Sequence, residues 1–287
     1  MKEKIIAYQG IQGAYSHLAY KKVFPTSLAI ACETFQDAMY LVENAKADLA
    51  MIPIENSSAG RVEEIYRMIP KMSLHILDEH FEPVNHCLLA LKGSTTKDIK
   101  YVSSHPQALA QCHKKLTLHN FETIAKFDTA GAAQELIQLN DKRHAAVASS
   151  LAAELYDLAI LDNDFGDYHG NTTRFLILSR ESVIPRYDKN NSYITSLVFS
   201  VRNIPSALYK AMGGFATNGI NLIKLESYSM TGSMEASQFH VDIDGHTAEK
   251  RLQLALDELK FFAGEVKLLG VYKRNPYREK LRIPDLI

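Results

Sequence analysis

Short apolar runs alternate with segments of helical period over the first 180 residues. The apolar runs predict six buried parallel strands, at 5–8, 28–32, 49–54, 101–103, 145–148 and 175–178. Between them, apolar residues recur at the spacing of one helix face. Alternating strands and helices predict an open α/β sheet with right-handed crossovers.

Four segments between the strands carry signals for helices. One contains Phe35, Met39 and Val42 and has Thr34 in position to cap it. A second contains Val62, Ile65 and Ile69 and is followed by Pro70, and the other two span 106–116 and 129–139. Proline at the start of the third is tolerated because the first helical turn needs no backbone donor.

The stretch 74–91 breaks this alternation. It has an extended composition, contains Pro83 and shows no helical period. We interpret it as a crossover between two α/β lobes, which predicts a cleft between them. The predicted catalytic domain, with both lobes, covers residues 1–180.

Beyond residue 180 the pattern changes. Residues 181–192 are polar, include Pro185 and predict a linker. Residues 193–273 predict strands at 193–201, 221–229, 236–243 and 266–271, with helices at 207–215 and 247–262, the second ended by Gly264. This βαββαβ order is ferredoxin-like. Residues 274–287 form a charged tail.

Composition and charge narrow the class of protein. The chain has 287 residues, of which 46% are hydrophobic and 23% charged, as is usual for a globular protein. A formal net charge of −1 gives no basic surface, so no nucleic-acid partner is expected. No apolar run is long enough to cross a membrane, and we find no signal peptide. Three cysteines without CxxC spacing favour reduced thiols and a cytoplasmic location.

Polar clusters stand at the ends of several of the predicted strands. They are Gly10–Gly13, Pro53–Gly60, Ser104–Gln107 and Asn171–Phe175. Each alone is explained by a turn or a helix cap, and Gly10–Gly13 can also cradle an anion with its backbone N–H groups. Together, at the carboxyl ends of strands, they predict a ligand crevice in an open α/β sheet.

These clusters resemble the serial motifs of the prephenate dehydratase family. The matching runs are YQGIQGAYS from Tyr8, IPIENS from Ile52 with Gly60, SHPQAL from Ser104 with Gln111 and Cys112, and NTTRF from Asn171. The resemblance implies a two-lobed catalytic domain similar to periplasmic binding proteins. It also implies decarboxylation and dehydration of prephenate to phenylpyruvate, in phenylalanine biosynthesis.

The implied reaction assigns hypothetical roles to the residues of these motifs. Thr173 matches the family's essential threonine and would stabilise the departing hydroxyl by a hydrogen bond. Arg174 could clamp a carboxylate, and Glu55 could supply a proton if burial raised its pKa, with His105 as the weaker candidate. Residues expected to contact substrate are Ser16, Asn56, Ser57, Ser104, His105, Gln107, Thr172 and Phe175. Aromatisation drives the reaction, so we expect neither cofactor nor metal.

The last 80 or so residues resemble the ACT amino-acid-binding module that follows the dehydratase domain in this family. Ser206 stands where the family has glycine, and Tyr228-Ser229 stand where it often has Arg-Pro. The resemblance implies pairing of modules into a homodimer or a dimer-based tetramer, with phenylalanine as an allosteric inhibitor. The implied effector residues are Ala207, Leu208, Asn221, Leu222, Glu226 and Ser227. A module that only dimerises is the alternative.

Three other functions stay open or are disfavoured. Arogenate dehydratase uses the same scaffold, and only the absence of a plastid-type leader favours prephenate. A non-catalytic amino-acid sensor would have no need of the Thr173 hydroxyl. A metal enzyme fits poorly because His75, His80 and His86 lack the spacing of helical zinc ligands.

Overall fold

The computed structural model describes residues 3–202, 204–229 and 236–280. The chain forms two compact units, one of Met1–Val62 and His80–Phe175 and the other of Glu63–Glu79 and Leu176–Ile287. The second unit is therefore built from two separate stretches of sequence. The division predicted from the sequence, with a linker over 181–192, stays a prediction, and residues 281–287 of the predicted tail lie outside the described residues.

The amino-terminal part of the first unit alternates strands and helices as predicted. Its elements are β1 (Ile5–Gln9), α1 (Tyr15–Val23), β2 (Leu28–Cys32), α2 (Phe35–Glu43), β3 (Leu49–Asn56) and β4 (Gly60–Arg61). β1 pairs in parallel with both β2 and β3. The predicted cap of α2 is confirmed, since the Thr34 hydroxyl oxygen accepts a hydrogen bond from the Asp37 N–H at 3.0 Å.

Two extended strands and one helix follow. Helix α3 (Glu63–Met68) lies in the second unit, and the predicted crossover contains β5 (His75–Pro83) and β6 (Cys87–Ala90). A six-stranded sheet has the order β2-β1-β3-β11-β5, with β4 paired to β3 and β11 spanning Thr172–Ser179. This order brings the carboxyl end of β3 beside the start of β11.

The rest of the first unit forms a second α/β lobe. Its elements are β6, β7 (Tyr101–Ser104), α4 (Pro106–Gln111), α5 (His113–Leu118), β8 (Glu122–Ala125), α6 (Thr129–Leu139), β9 (His144–Ala148), α7 (Ser150–Leu155) and β10 (Ala159–Asp162). The five-stranded sheet has the order β10-β6-β9-β7-β8. Alternate residues of β9 enter two different apolar clusters, Ala146 with Ala148 and Ala145 with Val147. Burial on both faces explains its unbroken apolar run.

The parallel direction predicted for the strands at 5–8, 28–32, 49–54, 101–103 and 145–148 is confirmed. The second sheet is nevertheless mixed, because β6, which was not predicted as a strand, runs antiparallel to β9 and β10. Two other expectations for these elements are wrong. The helix predicted over 106–116 is two helices, which meet at the fully buried Cys112. Gly264 does not end a helix by a left-handed turn. It is the second residue of β15 (Ala263–Lys273), in the second unit.

The second unit confirms the βαββαβ order. Its elements are β12 (Tyr193–Val201), α8 (Ala207–Thr217), β13 (Leu222–Ser229), β14 (Ala236–Asp244), α9 (Lys250–Phe262), β15 and α10 (Tyr277–Lys280). The four strands are antiparallel and have the order β13-β14-β12-β15. An apolar cluster that includes Leu197, Phe215 and Leu252 joins this sheet to α8 and α9. Throughout residues 3–202, 204–229 and 236–280, every helix lacks the length and hydropathy of a bilayer span.

Candidate active site

A cavity of about 300 Å³ opens between the two lobes of the first unit. The carboxyl end of β3, the start of β11 and the amino-terminal ends of α1, α4 and α6 supply its wall. Its polar and aromatic lining is Tyr15, Ser16, Asn56, Arg61, His86, His105, Gln107, Gln111, Thr129, Thr173 and Phe175. A small polar ligand fits a cavity of this size and composition.

Asn56 fixes the hydroxyl of Thr173. The Asn56 side-chain oxygen accepts from the backbone N–H groups of Ser58 and Ala59, at 3.0 and 2.9 Å. Its amide nitrogen therefore points the other way and donates to Thr173 Oγ1 at 3.0 Å and to Asn171 Oδ1 at 2.7 Å. Since Thr173 Oγ1 accepts this bond, its own proton can point into the cavity.

The hydrogen-bonded chain continues from Asn171 across the cavity. Asn171 Nδ2 donates to Gln111 Oε1 at 3.0 Å, and the same oxygen lies 2.7 Å from His86 Nε2. His86 Nδ1 lies 2.8 Å from the hydroxyl of Tyr15. Three amide side chains and one imidazole thus connect Thr173 on β11 with Tyr15 at the start of α1.

Burial changes the acidity of the two groups at the far end of this chain. Desolvation lowers the pKa of His86, and the hydrogen bond with Gln111 partly opposes this shift. Desolvation also raises the pKa of Tyr15 well above its ordinary value. Tyr15 is therefore an un-ionised hydroxyl at neutral pH.

Arg174 and Glu55 form an ion pair beside the cavity. Arg174 is 2% exposed, and its guanidinium donates to Glu55 Oε1 at 2.9 Å. Neither residue is among those that line the cavity. The guanidinium stabilises the charged carboxylate, so this contact favours an ion pair that joins β3 to β11 over a proton-donating Glu55.

The structure gathers about half of the predicted site residues around the cavity. Those that line it are Ser16, Asn56, His105, Gln107, Thr173 and Phe175. Ser57, Ser104 and Thr172 make hydrogen bonds to backbone groups instead. The Ser104 hydroxyl donates to the Val147 carbonyl at 2.6 Å, and the hydroxyls of Ser57 and Thr172 each donate to the Gly170 carbonyl at 3.2 Å. Their contacts support the walls of the site rather than its surface.

The Gly10–Gly13 turn does not present free donors to an anion. The Gly10 N–H donates to the Cys32 carbonyl, and the Gly13 N–H donates to His17 Nδ1 at 3.0 Å. Gly13 instead allows close packing of the two lobes, because a Cβ there would lie 3.2 Å from the Ala152 Cα. The anion interpretation of this turn is wrong for these two N–H groups.

Several cavity residues were not selected from the sequence. They are Tyr15, Arg61, His86, Gln111 and Thr129, together with Asn171 beside them. Tyr15, Gln111 and Asn171 belong to the matching motifs, so the sequence could have indicated them as cavity residues. No sequence pattern indicated Arg61 or His86, because an arginine after a turn and a histidine before a strand are common on surfaces.

The predicted effector residues lie in the second unit. Ala207 and Leu208 begin α8, directly after Ser206, whose φ of 60° is in the left-handed region. Asn221 precedes β13, which carries Leu222, Glu226 and Ser227 at the edge of its sheet. Leu208 and Leu222 both pack against the apolar cluster of this unit.

The fold and the cavity are those of an α/β protein with room for a small polar ligand between two lobes. The prephenate dehydratase family model matches residues 6–183. The chain belongs to the prephenate dehydratase family.

Relatives along nearly the whole chain agree with this assignment. A bifunctional N-acyl-homoserine lactone acylase/prephenate dehydratase of Komagataeibacter europaeus is 44% identical over 97% of this chain and 99% of its own. Arogenate dehydratase/prephenate dehydratase 1 of Arabidopsis thaliana is 41% identical over 95% of this chain and 73% of its own. The crystal structure of an Arthrobacter aurescens prephenate dehydratase in complex with L-Phe has a TM-score of 0.86 and 30% identity. The match covers 94% of this chain and 90% of the Arthrobacter chain.

Proposed function

We propose that this protein converts prephenate to phenylpyruvate, carbon dioxide and water. One observation carries the proposal: Asn56 holds the Thr173 hydroxyl at the wall of a cavity that suits a small polar molecule. The ring carboxylate leaves as carbon dioxide, and its bonding electrons form a ring double bond. The ring hydroxyl leaves with the electrons of its own bond. A hydrogen bond from Thr173 stabilises the charge that develops on that oxygen.

A cation is needed for the two carboxylates of prephenate. Arg61 lines the cavity, whereas the predicted clamp Arg174 is buried against Glu55. We assign carboxylate binding to Arg61 and the arrangement of β3 against β11 to Arg174. Arg61→Gln should raise KM for prephenate more than it changes the stability of the fold. Arg174→Gln should lower the melting temperature, because it leaves Glu55 without the guanidinium. The reverse pattern returns the clamp to Arg174.

The central experiment measures phenylpyruvate formed from prephenate by the wild type, Thr173→Ser and Thr173→Val. Thr173→Ser keeps the hydroxyl and should keep most of the activity. Thr173→Val keeps the shape and should lower kcat by about 10²–10³-fold, as loss of one stabilising donor does. Full activity in Thr173→Val contradicts the assigned role. Arogenate, assayed in parallel, decides between the two substrates that the name of the Arabidopsis relative carries.

The second unit is proposed to be an ACT module that inhibits the enzyme when L-phenylalanine binds. Its βαββαβ order and antiparallel sheet support this, as does the L-Phe complex of the Arthrobacter relative. We further propose a cytoplasmic homo-oligomer built on dimers. Activity with and without phenylalanine, together with the mass in solution, tests both ideas. Turnover that ignores phenylalanine leaves the module a role in dimerisation alone.

The name of one relative suggests a second activity to test, cleavage of N-acyl-homoserine lactones. The Komagataeibacter protein, 44% identical over 97% of this chain, is described as an acylase as well as a dehydratase. We would incubate the wild type and Thr173→Val with an N-acyl-homoserine lactone and measure the released fatty acid. Release by the wild type adds this activity, and its loss in Thr173→Val would locate it in the same cavity.

A further inference from the structure

The geometry points to Tyr15 and His86 as the source of the proton that converts the departing hydroxyl of prephenate into water. The inference rests on the dehydratase function proposed above and supplies a step that Thr173 does not. Both residues line the cavity. The Thr173 hydroxyl accepts a hydrogen bond from Asn56 and carries one proton, which it does not surrender at neutral pH. The departing oxygen of prephenate must therefore obtain its proton from another group.

The contacts of His86 determine which ring nitrogen carries its proton. Gln111 Oε1 accepts from Asn171 Nδ2, so it is an oxygen and can only accept from His86 Nε2. Neutral His86 therefore carries its proton on Nε2. Its Nδ1 then faces the Tyr15 hydroxyl, 2.8 Å away, with a lone pair.

This arrangement leaves a place for one more proton. The Tyr15 hydroxyl lies 3.0 Å from the Asn85 carbonyl and 2.8 Å from His86 Nδ1, and its single proton can satisfy only one of them. When Nδ1 is protonated, it donates to Tyr15, Tyr15 donates to the Asn85 carbonyl, and every group has a partner. Hydrogen-bond geometry thus favours the charged imidazole, whereas burial opposes it.

Substrate supplies the charge that overcomes burial. Prephenate brings two negative charges into the cavity, which favours protonation of an adjacent imidazole. The other titratable or charged groups around His86 and Tyr15 include Arg61 and His105 in the same cavity, Asp164, Tyr168 and His169 nearby, and Cys87 and Cys112 next to Tyr15. Desolvation raises the pKa of Cys87 to about 11 and that of Cys112 to about 12, so both thiols are neutral. Asp164 and His169 line an adjoining cavity of about 450 Å³, which His86 also lines.

The step balances as follows. The ring carboxylate leaves as carbon dioxide, and the hydroxyl departs with its bonding electrons. The Tyr15 proton turns from the Asn85 carbonyl to the departing oxygen, which takes it. Tyr15 then takes the Nδ1 proton of His86, so Tyr15 is un-ionised before and after. Neutral His86 regains a proton from solvent through the adjoining cavity. One proton is consumed for each water formed, as the net reaction requires.

Two variants separate proton transfer from support of the fold. His86→Gln places an amide N–H near the position of Nε2 and can still hold Gln111, but it cannot carry a proton at Nδ1. Tyr15→Phe removes the hydroxyl and keeps the ring. Each should lower kcat/KM for prephenate by about 10²–10⁴-fold, the usual contribution of a general acid. His17→Asn is the matched control, since the pKa of His17 is also lowered by burial, and an amide oxygen can replace its acceptor for the Gly13 N–H.

The pH profile is the readout that a supporting role does not change. For the wild type and His17→Asn, kcat/KM should fall as the pH rises through the pKa of His86, which lies below the ordinary value for histidine. That slope should vanish in His86→Gln. In His86→Gly, imidazole should restore activity in proportion to its protonated fraction. Pyrazole has the same shape but stays unprotonated, and it should restore none.

The possible outcomes are distinct. If the wild type forms phenylpyruvate and His86→Gln keeps the pH slope and activity, the inference is wrong and the proposed function stands. Equal rescue by imidazole and pyrazole also overturns it. Nitrogen NMR of labelled histidine tests the geometry without turnover, since neutral His86 should carry its proton on Nε2. A wild type that acts on neither prephenate nor arogenate overturns the function and the inference together.

Discussion

Two buried histidines of this protein have nearly the same first contact and opposite surroundings. His86 in the first unit and His240 in the second each lie 2.8 Å from a hydroxyl, that of Tyr15 and that of Ser196. His86 lines two cavities and is linked to neutral amides. His240 lines neither of these cavities, and its neighbours include the carboxylate of Asp242.

The cluster around His240 has the composition of a catalytic triad without its geometry. Ser196 Oγ is 2.7 Å from Asp242 Oδ1, and that carboxylate oxygen is 3.3 Å from His240 Nε2, the same nitrogen that faces the serine. In a working triad the carboxylate orients the other ring nitrogen. All three side chains are at most 1% exposed. Access to a cavity and the direction of the hydrogen bonds, rather than the types of residue present, therefore distinguish the candidate active site from the buried cluster around His240.

The largest effect on stability is expected from removing one partner of a buried ion pair in the second unit. Glu79 is 2% exposed and accepts two hydrogen bonds of 2.7 Å from Arg278. Glu79→Ala leaves a guanidinium without this carboxylate and should lower the free energy of unfolding by about 3–5 kcal/mol. Urea denaturation measures this loss. Asp257→Ala removes an exposed ion pair with Lys260 and is the control, with an expected change below about 1 kcal/mol. Equal losses in the two variants contradict the prediction.

A smaller effect, on rate, is expected in the first unit. Asn56→Ala removes the donor that orients Thr173 and should lower kcat by about 10²-fold, as misplacement of a reacting group does. Steady-state assays with prephenate measure it. Asn44→Ala removes an exposed amide that caps α2 and should keep kcat. If Asn56→Ala also kept kcat, the hydrogen bond from Asn56 to Thr173 would have no role in the reaction.

The third prediction tests whether the cluster around His240 is only a support. Ser196→Ala removes a hydroxyl that contacts both His240 and Asp242. The expected loss is about 1–3 kcal/mol of unfolding free energy, the cost of leaving a buried polar group unsatisfied. The value of kcat for prephenate should not change in protein that remains folded. A loss of rate comparable with that of Thr173→Val would give this cluster a part in the chemistry.

The smallest effect concerns the start of α8. Ser206 has a φ of 60°, which costs a residue with a Cβ about 1–2 kcal/mol. Ser206→Gly relieves that strain, partly offset by the greater freedom of glycine in the unfolded chain, and should raise stability by up to about 1 kcal/mol. Ser206→Ala keeps the Cβ and should give no such gain. Thermal unfolding compares them, and equal melting temperatures for the two variants would argue against strain at this position.

The fold was predictable where burial governs the sequence pattern. α6 has the predicted bounds, because its apolar period follows the face that is buried, at Ala130, Ala133 and Leu136. β2 also has the predicted bounds, but the prediction that it is buried is wrong, since Cys32 is its one buried residue. The break between α4 and α5 was not predictable, since Cys112 and its neighbours keep a helical period across it. The antiparallel direction of β6 left no trace either, because a strand buried on both faces has the same composition in either direction.

The cavity was predictable only through the motifs. Thr173, Asn56 and Gln107 belong to them and line the cavity. Ser57 and Ser104 belong to the same motifs, yet their hydroxyls bind backbone carbonyls. A motif records that a residue type is needed but not whether it faces the ligand or the wall. His86 and Arg61 depend on tertiary packing, which no local pattern carries.

The discontinuous second unit limits how this chain can be recombined with others. Lys267 on β15 donates to the carbonyl of Pro70 at 3.3 Å, and a Cβ at Gly270 would lie 2.0 Å from the carbonyl oxygen of Ile76. The segment 63–79 is thus fitted closely to a strand nearly two hundred residues later. A chimera that exchanges residues 176–287 as one cassette would pair that strand with a foreign segment. Successful exchange therefore requires three crossover sites, before residue 63, after residue 79 and before residue 176, so that both stretches of the unit are inherited together.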